Sequence, residues 1–336
     1  MTATQTEHSS DTRTAPSALV AEVRVEAVER LSPAFVRVTF GGPGLCDLST
    51  ADGFDTRFKV VFPGPTGLLP RISAVPEEWQ ASWLAMPDDE RSPMRTYTIR
   101  EIRTRGDDVQ LVADFVVHEP SGARGEDELG PACRWALTAR PGDVVHVVGP
   151  HRLSPIYGGT EFEPGELRDL LVVGDETALP AVARILADAG PGFTGQVFVE
   201  VPSSDDIVDL PRHALIGVTW LVRGSAPQGR RLVSAVRSHL GLPATDLEVP
   251  LPEVRSDLDV EVWETPRYSS GGEDLNRHVV ASPGPVVADL ADTYAWIAGE
   301  SWLVKALRRA LVSELGVERS RVAFMGYWRQ GVSMRS

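Results

Sequence analysis

The hydrophobic pattern of this 336-residue chain changes near Pro164, and the change determines the expected architecture. Before Pro164, short runs rich in β-branched residues alternate apolar with polar positions, and Gly or Pro stands at most junctions. These runs are residues 21–28, 34–40, 57–62, 96–102, 109–117 and 143–148. Many short alternating strands at this spacing predict an antiparallel β-barrel.

After Pro164 the apolar runs are continuous and alternate with helical patterns. The predicted strands cover residues 170–174, 195–201, 218–222 and 294–298. The clearest predicted helices cover residues 178–189, 232–240 and 301–315. Strands that are apolar on both faces and alternate with helices are typical of a parallel sheet covered on both sides. The second half is therefore predicted to be a doubly wound α/β domain.

The length of the chain allows two domains, each with its own core. We expect a disordered leader over residues 1–18, the barrel over residues 19–155 and the α/β domain over residues 165–333. Residues 63–93 contain several prolines and two tryptophans and are predicted to leave the barrel. Residues 265–285 are rich in Ser, Gly and Pro and are predicted to form a long loop.

Charge and cysteine content exclude several classes of function. A net charge of −14 and a pI near 5.0 argue against broad nucleic-acid binding, which depends on neutralising phosphates. Cys46 and Cys133 are far apart and lack partners at metal-ligand spacing, so no disulfide framework and no metal site is predicted. No apolar stretch approaches the length of a membrane span, and residues 1–18 lack the features of a secretory signal. We therefore expect a cytoplasmic protein without a transmembrane segment.

One predicted strand carries the first candidate site. Alternation places Arg95 and Tyr97 on one face and Thr98 on the other. A guanidinium suits a phosphate, an aromatic ring can stack on a planar heterocycle such as a flavin, and a hydroxyl can form a hydrogen bond to it. Taken alone, residues 95–100 are explained better by an ordinary amphipathic strand with an exposed tyrosine.

Two further segments near this strand could bind an anion. Asp114 and His118 flank an apolar triplet at the end of a predicted strand, which alone says little. Gly130-Pro131-Ala132-Cys133 resembles a loop entering a helix, where free backbone amides and the positive end of the helix dipole suit a pyrophosphate. A plain helix start after Pro131 is the alternative.

The predicted parallel sheet offers more candidates at the ends of its strands. Asp175 and Thr177 follow the apolar strand 170–174, at the sheet edge where α/β folds bind ligands. The segment is neither a Gly-rich dinucleotide fingerprint nor a P-loop, and helix capping by these residues is at least as plausible as cofactor contact. Glu300 follows a second such strand. Trp328, near the end of the chain, could cover a ring system or anchor a terminal strand in the core.

In combination and in this order, these segments resemble the siderophore-interacting proteins, which are flavin-dependent ferric-siderophore reductases. The resemblance extends roughly over residues 20–331. The segments that carry it are residues 95–100, 114–118, 130–136, 141–143 with 149–150, 174–180, 298–300 and 326–331. Cys133 departs from the family pattern, in which Ser is expected, and residues 63–93 and 265–285 resemble insertions.

The resemblance implies a ferredoxin-reductase-like architecture. An N-terminal antiparallel flavin-binding β-barrel would be followed by a doubly wound α/β nicotinamide-binding domain, with FAD as cofactor and NADH or NADPH as donor. The residues that would contact FAD are Arg95, Tyr97, Thr98, Asp114, Val117, His118, Ala132, Cys133, Trp135, Asp175 and Thr177. Catalytic roles would fall to Thr98 near the reactive flavin nitrogen, Glu300 on the nicotinamide side and Trp328 at the open face of the flavin.

The implied substrate is an anionic ferric siderophore, which needs basic residues near the flavin. Lys59, one of only two lysines, lies in an apolar strand and is the first candidate, followed by Arg329 and Lys305. A surface lysine that extends its charge into solvent is the alternative for Lys59. Residues 223–231 contain arginines that would favour a 2′-phosphate or simply lie on the surface.

Two other functions fit the same residues less well. One is a general NAD(P)H-dependent flavin or ferredoxin-type reductase, and the other is a siderophore-binding protein without redox activity. The sequence does not decide between NADH, NADPH and a reduced ferredoxin as donor, nor does it identify the siderophore.

Overall fold

The structure is a computed structural model that describes residues 16–330 apart from residues 52, 65, 74, 88–89, 119–128, 155–158, 244–262, 266–267 and 270–289. Within this part of the chain, no helix is long and apolar enough to cross a membrane. The predicted leader over residues 1–18 lies outside the described residues except for its last three.

The N-terminal half forms a seven-stranded antiparallel sheet, which confirms the predicted fold class. Its strands are β1 (Leu19–Ser32), β2 (Phe35–Gly41), β3 (Arg57–Val61), β4 (Met94–Thr98), β5 (Glu101–Arg105), β6 (Asp108–Val116) and β7 (Val144–Gly149). The strand order is β4-β3-β7-β1-β2-β6-β5. Two helices accompany the sheet, α1 (Trp79–Leu84) and α2 (Pro131–Thr138).

The prediction of one strand over residues 96–102 was wrong, because the backbone changes its hydrogen-bond partner in the middle. Ile99 N donates to Thr56 O (2.8 Å), on the β3 side, whereas Arg100 N donates to Val112 O (2.9 Å) of β6. The chain therefore crosses from one end of the sheet to the other at this point. This crossing brings the two ends together and gives the sheet its barrel-like closure.

Aromatic rings fill one end of the barrel. Trp135 of α2 stacks on Phe40 with centroids 6.2 Å apart and also contacts Phe115 at 5.5 Å and Phe62 at 5.2 Å. Each fully buried phenylalanine contributes roughly 1.5–3 kcal/mol relative to an exposed one. The amphipathic helix α2 therefore covers this end of the barrel, and its first turn lies at the rim.

The C-terminal half contains the predicted parallel sheet. Its elements are β8 (Asp169–Gly174), α3 (Leu179–Asp188), β9 (Thr194–Val201), β10 (Ile216–Val222), α4 (Arg230–His239), β11 (Trp263–Thr265), β12 (Tyr268–Ser269), β13 (Thr293–Glu300), α5 (Ser301–Arg308) and β14 (Val322–Trp328). The strand order is β10-β9-β8-β13-β14-β11-β12, and the first five strands are parallel. Helix α3 packs on one face, whereas α4 and α5 pack on the other.

Two predicted segments differ in detail from the structure. The helix predicted over residues 301–315 is α-helical only to Arg308 and continues as a π-helical segment, Arg309–Glu314. The excursion over residues 63–93 contains α1, whose Trp83 packs against Val61 and Met94. Most of the predicted loop over residues 265–285 lies outside the described residues, but β12 falls within it.

The order of the strands creates a crevice at their carboxyl ends. The chain runs from β8 outward to β9 and β10, and then returns on the other side of β8 with β13 and β14. Open α/β sheets bind ligands at such a reversal point, beyond the carboxyl ends of the strands. The candidate residues that follow β8, β13 and β14 therefore meet at one edge.

Two buried aspartates connect the halves of the molecule. Asp55 accepts hydrogen bonds from Phe162 N (2.9 Å) and Trp296 Nε1 (2.9 Å), the latter in β13. Asp206, which follows β9, accepts from Ser32 Oγ and Ala34 N, both at 2.8 Å. Because a buried carboxylate is costly without such donors, these bonds favour one fixed arrangement of barrel and sheet.

Candidate functional site

The rim of the barrel brings together Arg95, Tyr97 and the start of α2. Tyr97 is half-buried, and its ring lies 4.2 Å from that of Phe115. Burial raises the pKa of Tyr97 while the neighbouring Arg95 lowers it, so Tyr97 is a neutral phenol with a cation beside it. Tyr97 and Cys133 pack against the same core cluster. A ring to stack and a guanidinium for an anion therefore lie next to a helix start.

The start of α2 is suited to an anion. Among the described residues, which exclude 119–128, no side chain caps its first turn, and the turn contains no acidic residue. A Cβ built on Gly130 would meet no atom of these residues within 4 Å, so they leave the approach to the first amides open. Arg134 is exposed on the same turn. Uncapped amides at the positive end of a helix dipole bind phosphate groups, and the residues present fit the pyrophosphate of FAD.

The FAD contacts predicted for α2 differ in the access they have to this rim. Ala132 is buried and can offer only its backbone, and the ring of Trp135 points into the barrel core. Cys133 Sγ lies 3.4 Å from His118 N, which links α2 to the end of β6. Burial raises the pKa of Cys133, so its thiol is a neutral, weak donor where a serine would offer a hydroxyl.

Asp114 does not join this rim. Its carboxylate is bound by Arg37 Nε (2.7 Å) and Nη2 (2.8 Å), with Arg100 Nε at 3.8 Å. Because side chains alternate along β6, Asp114 faces outward when its neighbour Phe115 faces the core. It lines a cleft of about 530 Å³ against Leu179 of α3. The Asp114 carboxylate is thus engaged by arginines on the α3 side, and its contact with the flavin stays a prediction.

Val117 and His118 remain beside the rim. Val117 is buried in the barrel core, and its backbone N donates to Ala34 O at 2.9 Å, so the amide is not free for a ligand. His118 is exposed next to Cys133. Only the carbonyl of Val117 and the side chain of His118 could contact a bound ring.

Thr98 and Lys59 lie on the other face of β4 and β3. Thr98 is buried and pairs with Arg57, while Lys59 pairs with Thr96, to whose Oγ1 its Nζ donates at 3.3 Å. Burial and the nearby Arg57 lower the pKa of Lys59. In the described part of the chain, no carboxylate lies within ion-pair distance of Lys59 Nζ. Since β4 is an edge strand, both of its faces border the same open edge.

At the carboxyl edge of the parallel sheet, Asp175 joins three strands. Its Oδ1 accepts from Thr177 N (2.9 Å) and Thr177 Oγ1 (2.5 Å). Its Oδ2 accepts from Glu300 N (2.8 Å) and from Trp328 Nε1 (3.0 Å). The carboxylate is fully buried, and burial followed by the charge of Glu176 raises its pKa to about 6. Asp175 thus connects the ends of β8, β13 and β14, whereas neither Asp175 nor Thr177 caps α3, whose N-cap residue is Ala178.

The close approach of Asp175 requires a glycine in β13. Gly299 has a φ of 141°, and a Cβ at this position would lie 2.7 Å from the Asp175 carboxylate. The pairing of β13 with β14 shifts register immediately afterwards, so that Glu300 lies opposite Trp328. The backbone is therefore shaped around this one buried carboxylate.

Glu300 is also engaged by the protein itself. Its Oε2 accepts from Trp302 N (2.6 Å) and Leu303 N (3.4 Å) and caps α5, while Oε1 accepts from Gln330 N (3.3 Å). Ser301 Oγ donates to Trp328 O at 3.0 Å. The structure therefore brings Glu300 and Trp328 together with Asp175 and Thr177 in a network that fixes the end of β14.

Arg329 and Lys305 lie near this network. Arg329 follows Trp328 directly and is partly buried. Lys305 is five residues after Glu300 on α5, which corresponds to about 7 Å along the helix axis. Arg329 is therefore adjacent to this network in sequence, and Lys305 lies in the second turn of the helix that Glu300 caps.

Several residues of this site were missed by the sequence analysis. Glu200 is buried beside Arg223, and Asp55 is buried beside Trp296, whereas Glu176, which the resemblance places with Asp175 and Thr177 at the crevice, is the second carboxylate bound by Arg223. The sequence feature that could have identified them is an acidic residue within or next to a continuous apolar strand, as at Glu200 in β9. An isolated charge in a buried strand needs a partner. No local pattern identifies which distant residue that partner is.

The chain matches two family descriptions. Residues 24–153 match the siderophore-interacting FAD-binding domain, and residues 167–331 match the siderophore-interacting protein family. The two matches together span the barrel and the α/β half, and they leave the segment between them unassigned.

Similar proteins come from several bacteria. An uncharacterized protein of Mycobacterium tuberculosis is 30% identical over 65% of this chain and 74% of its own length. Ferric vibriobactin reductase of Vibrio cholerae is 25% identical over 90% of this chain and 86% of its own length. An NADPH-dependent ferric-chelate reductase of Escherichia coli is 33% identical over 49% of this chain and 55% of its own length. The crystal structure of a siderophore utilization protein from T. fusca superposes with a TM-score of 0.65, at 27% identity and 95% and 96% coverage.

Proposed function

The chain belongs to the siderophore-interacting protein family, and from this premise we propose that it reduces ferric siderophores through bound FAD with electrons from NADH or NADPH. The observation that carries the proposal is the barrel rim, where Arg95 and Tyr97 lie beside the open, uncapped start of α2. The named activities of two relatives, reduction of ferric vibriobactin and of ferric chelates, support the choice of acceptor.

The roles of individual residues follow from their positions. Arg95 and the amides of Ala132 and Cys133 would hold the phosphates of FAD, and Tyr97 would pack on its ring system. Thr98, on the other face of the edge strand β4, would place its hydroxyl at the reactive edge of the flavin. Bound FAD would supply the exchange between a two-electron donor and one-electron acceptors.

Trp328 and Glu300 would border the crevice from the opposite side. The Trp328 ring is held by its bond to Asp175, so it would exclude water from the face of the bound cofactor. The side chain of Glu300 accepts three backbone hydrogen bonds, so it would act by fixing this edge of the crevice rather than as a free base. Asp175 and Thr177 would act through Trp328 and Glu300.

Lys59 would provide the positive charge that attracts an anionic ferric chelate. It lies on the face of β3 that also carries Thr98's partner Arg57, and burial lowers its pKa. In the described residues, no group of His, Cys, Asp and Glu side chains is arranged to hold a metal ion. The iron would enter bound to its chelator, and reduction would release it, because iron(II) binds more weakly to oxygen donors that prefer iron(III).

We also place this activity in the cytoplasm, where reduced nicotinamides are available, and we consider a reduced ferredoxin as an alternative donor. Purified protein reconstituted with FAD should reduce ferric hydroxamate and catecholate chelates when NADH or NADPH is supplied, as measured by capture of iron(II) with a chromogenic chelator. Preference for free flavin or a protein acceptor would favour a general reductase. Failure to bind FAD would favour a siderophore-binding protein without redox activity.

A further inference from the structure

A buried cluster of three charged side chains lies at the ends of β9 and β10, where no role has yet been assigned. Arg223 follows β10 and binds Glu176 bidentately, with Nη1 to Oε2 and Nη2 to Oε1 both at 2.9 Å. The same Nη1 lies 3.4 Å from Glu200 Oε1 in β9. The exposed fractions of the three side chains are 13%, 1% and 0%. We call these residues the acid–arginine–acid triad.

The triad also occupies the start of α4. Gly229 N donates to Glu200 Oε1 at 2.8 Å, and Gln228 Nε2 donates to Glu176 Oε2 at 3.2 Å. Gly229 has a positive φ of 75°, which turns its amide toward the carboxylate. The second oxygen of Glu200, Oε2, has no hydrogen-bond partner in the described structure. The positive end of α4 is thus already neutralised by a carboxylate with unused acceptor capacity.

The position of the triad corresponds to the adenosine ribose of a bound dinucleotide. In doubly wound domains the pyrophosphate lies over the first strand-to-helix turn, here β8 to α3, and the ribose extends toward the end of the neighbouring strand. An acidic residue there recognises the 2′-hydroxyl of NAD, whereas an arginine nearby accepts the 2′-phosphate of NADP. Glu200 ends the strand next to β8, and Arg223 ends the one after it.

Arg223 is the residue that could bind a 2′-phosphate, but its guanidinium is occupied. The triad contains two carboxylates and one guanidinium, so its net charge is negative and would repel an anionic group of a ligand at this edge of the sheet. A 2′-phosphate would add further negative charge at pH 7 to 8, whereas the 2′-hydroxyl of NADH is neutral. Like charges in a partly buried site repel each other more strongly than they do in water.

We infer that the acid–arginine–acid triad makes this protein selective for NADH over NADPH. The inference rests on the proposed function and specifies its donor. It differs from the donor in the name of the E. coli relative, which matches only half of this chain. Arg223 then serves as the shared hydrogen-bond partner of the two buried carboxylates, and selectivity arises from the net charge of the cluster.

Two measurements on the FAD-loaded wild-type protein at pH 8 test the inference. Calorimetric titration with 5′-AMP and with 2′,5′-ADP, which differ only by the 2′-phosphate, reports the adenosine subsite without any turnover. Anaerobic stopped-flow reduction with NADH and with NADPH reports the complete donor. We expect 2′,5′-ADP to bind at least about tenfold more weakly than 5′-AMP, and flavin reduction to be faster with NADH by a similar factor.

Glu200→Gln is the diagnostic variant because Gln can still accept from Gly229 N while one charge disappears. It should shift both the ratio of the two affinities and the ratio of the two flavin reduction rates toward the 2′-phosphorylated ligand by about threefold to tenfold. Glu314→Gln is the matched control, since Glu314 also pairs with an arginine, Arg237 at 3.0 Å, but at the other end of α4. It should leave both ratios unchanged.

Tighter binding of 2′,5′-ADP than of 5′-AMP by the wild type, or ratios that do not move in Glu200→Gln, would overturn the inference. If neither nicotinamide reduces the flavin, the proposed donor function fails. The ratio of 5′-AMP to 2′,5′-ADP affinity would still decide whether the triad discriminates against a 2′-phosphate.

Discussion

Replacement of Trp328 by phenylalanine tests the network around Asp175. The change removes Nε1, which donates to Asp175 Oδ2 at 3.0 Å, and keeps an aromatic ring at the end of β14. A hydrogen bond to a charged group contributes about 1.5–3 kcal/mol, whereas one to a neutral group contributes about 0.5–1.5 kcal/mol. The loss of stability should therefore depend on whether Asp175 is ionised.

The sign of this dependence follows from the pKa of Asp175. Burial raises it from 3.8 to about 6 in the folded protein. The native state consequently binds more protons than the unfolded state between these values, and stability falls as the pH rises from about 4 to about 6. The corresponding cost of ionisation is roughly 3 kcal/mol above pH 6. Removing a donor to the carboxylate raises the folded-state pKa further and enlarges this cost.

We expect Trp328→Phe to lower the free energy of unfolding by about 2–3 kcal/mol at pH 8 and by about 1 kcal/mol at pH 5. Urea unfolding followed by circular dichroism at both pH values measures the difference. Trp220→Phe is the control, because Trp220 is a partly buried tryptophan of β10 that makes no hydrogen bond to a carboxylate in the described structure. Equal losses at pH 5 and pH 8 for Trp328→Phe would refute the reasoning.

Further substitutions address the barrel rim, the substrate face and the junction of the two halves. Arg95→Ala and Tyr97→Ala should each weaken FAD binding by at least about tenfold in a fluorescence titration, and full retention in both would remove the roles proposed for them. Lys59→Ala should raise KM for a ferric chelate several-fold with kcat and FAD content unchanged. A larger increase of KM in Lys305→Ala would indicate that the chelate binds near α5 instead. Asp55→Ala leaves buried donors such as Trp296 Nε1 without an acceptor and should cost about 3–5 kcal/mol in thermal unfolding, so a loss below 1 kcal/mol would show that the carboxylate does not join the halves.

The architecture could be predicted because hydrophobic periodicity reports burial directly. Alternation in the first half and continuous apolar runs in the second distinguish a sheet with one buried face from a sheet with two. The split at Ile99 and Arg100 could not be predicted in this way. Neither residue belongs to β4 or β5, and the carbonyls that accept from their amides, those of Thr56 and Val112, are distant from them in the sequence.

The candidate site was predictable where one strand or helix start contains it. The edge strand with Arg95, Tyr97 and Thr98 is such a case. The surroundings of Asp114 could not be predicted, because its carboxylate is bound by Arg37, a residue 77 positions away. Burial and partner choice depend on tertiary contacts that no local pattern records.

The partners of Arg223 could not be predicted from the local sequence either. An arginine after β10 indicates a 2′-phosphate site when considered alone, but Arg223 is bound by the buried carboxylates of Glu176 and Glu200, which disfavour a second anion. Net charge of a cluster, rather than the identity of one residue, then determines which ligand is favoured.

The most direct test of the electron path is an anaerobic two-step mixing experiment on the FAD-loaded protein. Reduced nicotinamide should bleach the visible absorbance of the flavin, and subsequent addition of a ferric hydroxamate or catecholate should restore it, with about two iron(II) released per flavin because one hydride carries two electrons. Absorbance that returns only when oxygen is admitted, or no bleaching by any reduced nicotinamide or ferredoxin, would contradict the proposed reductase.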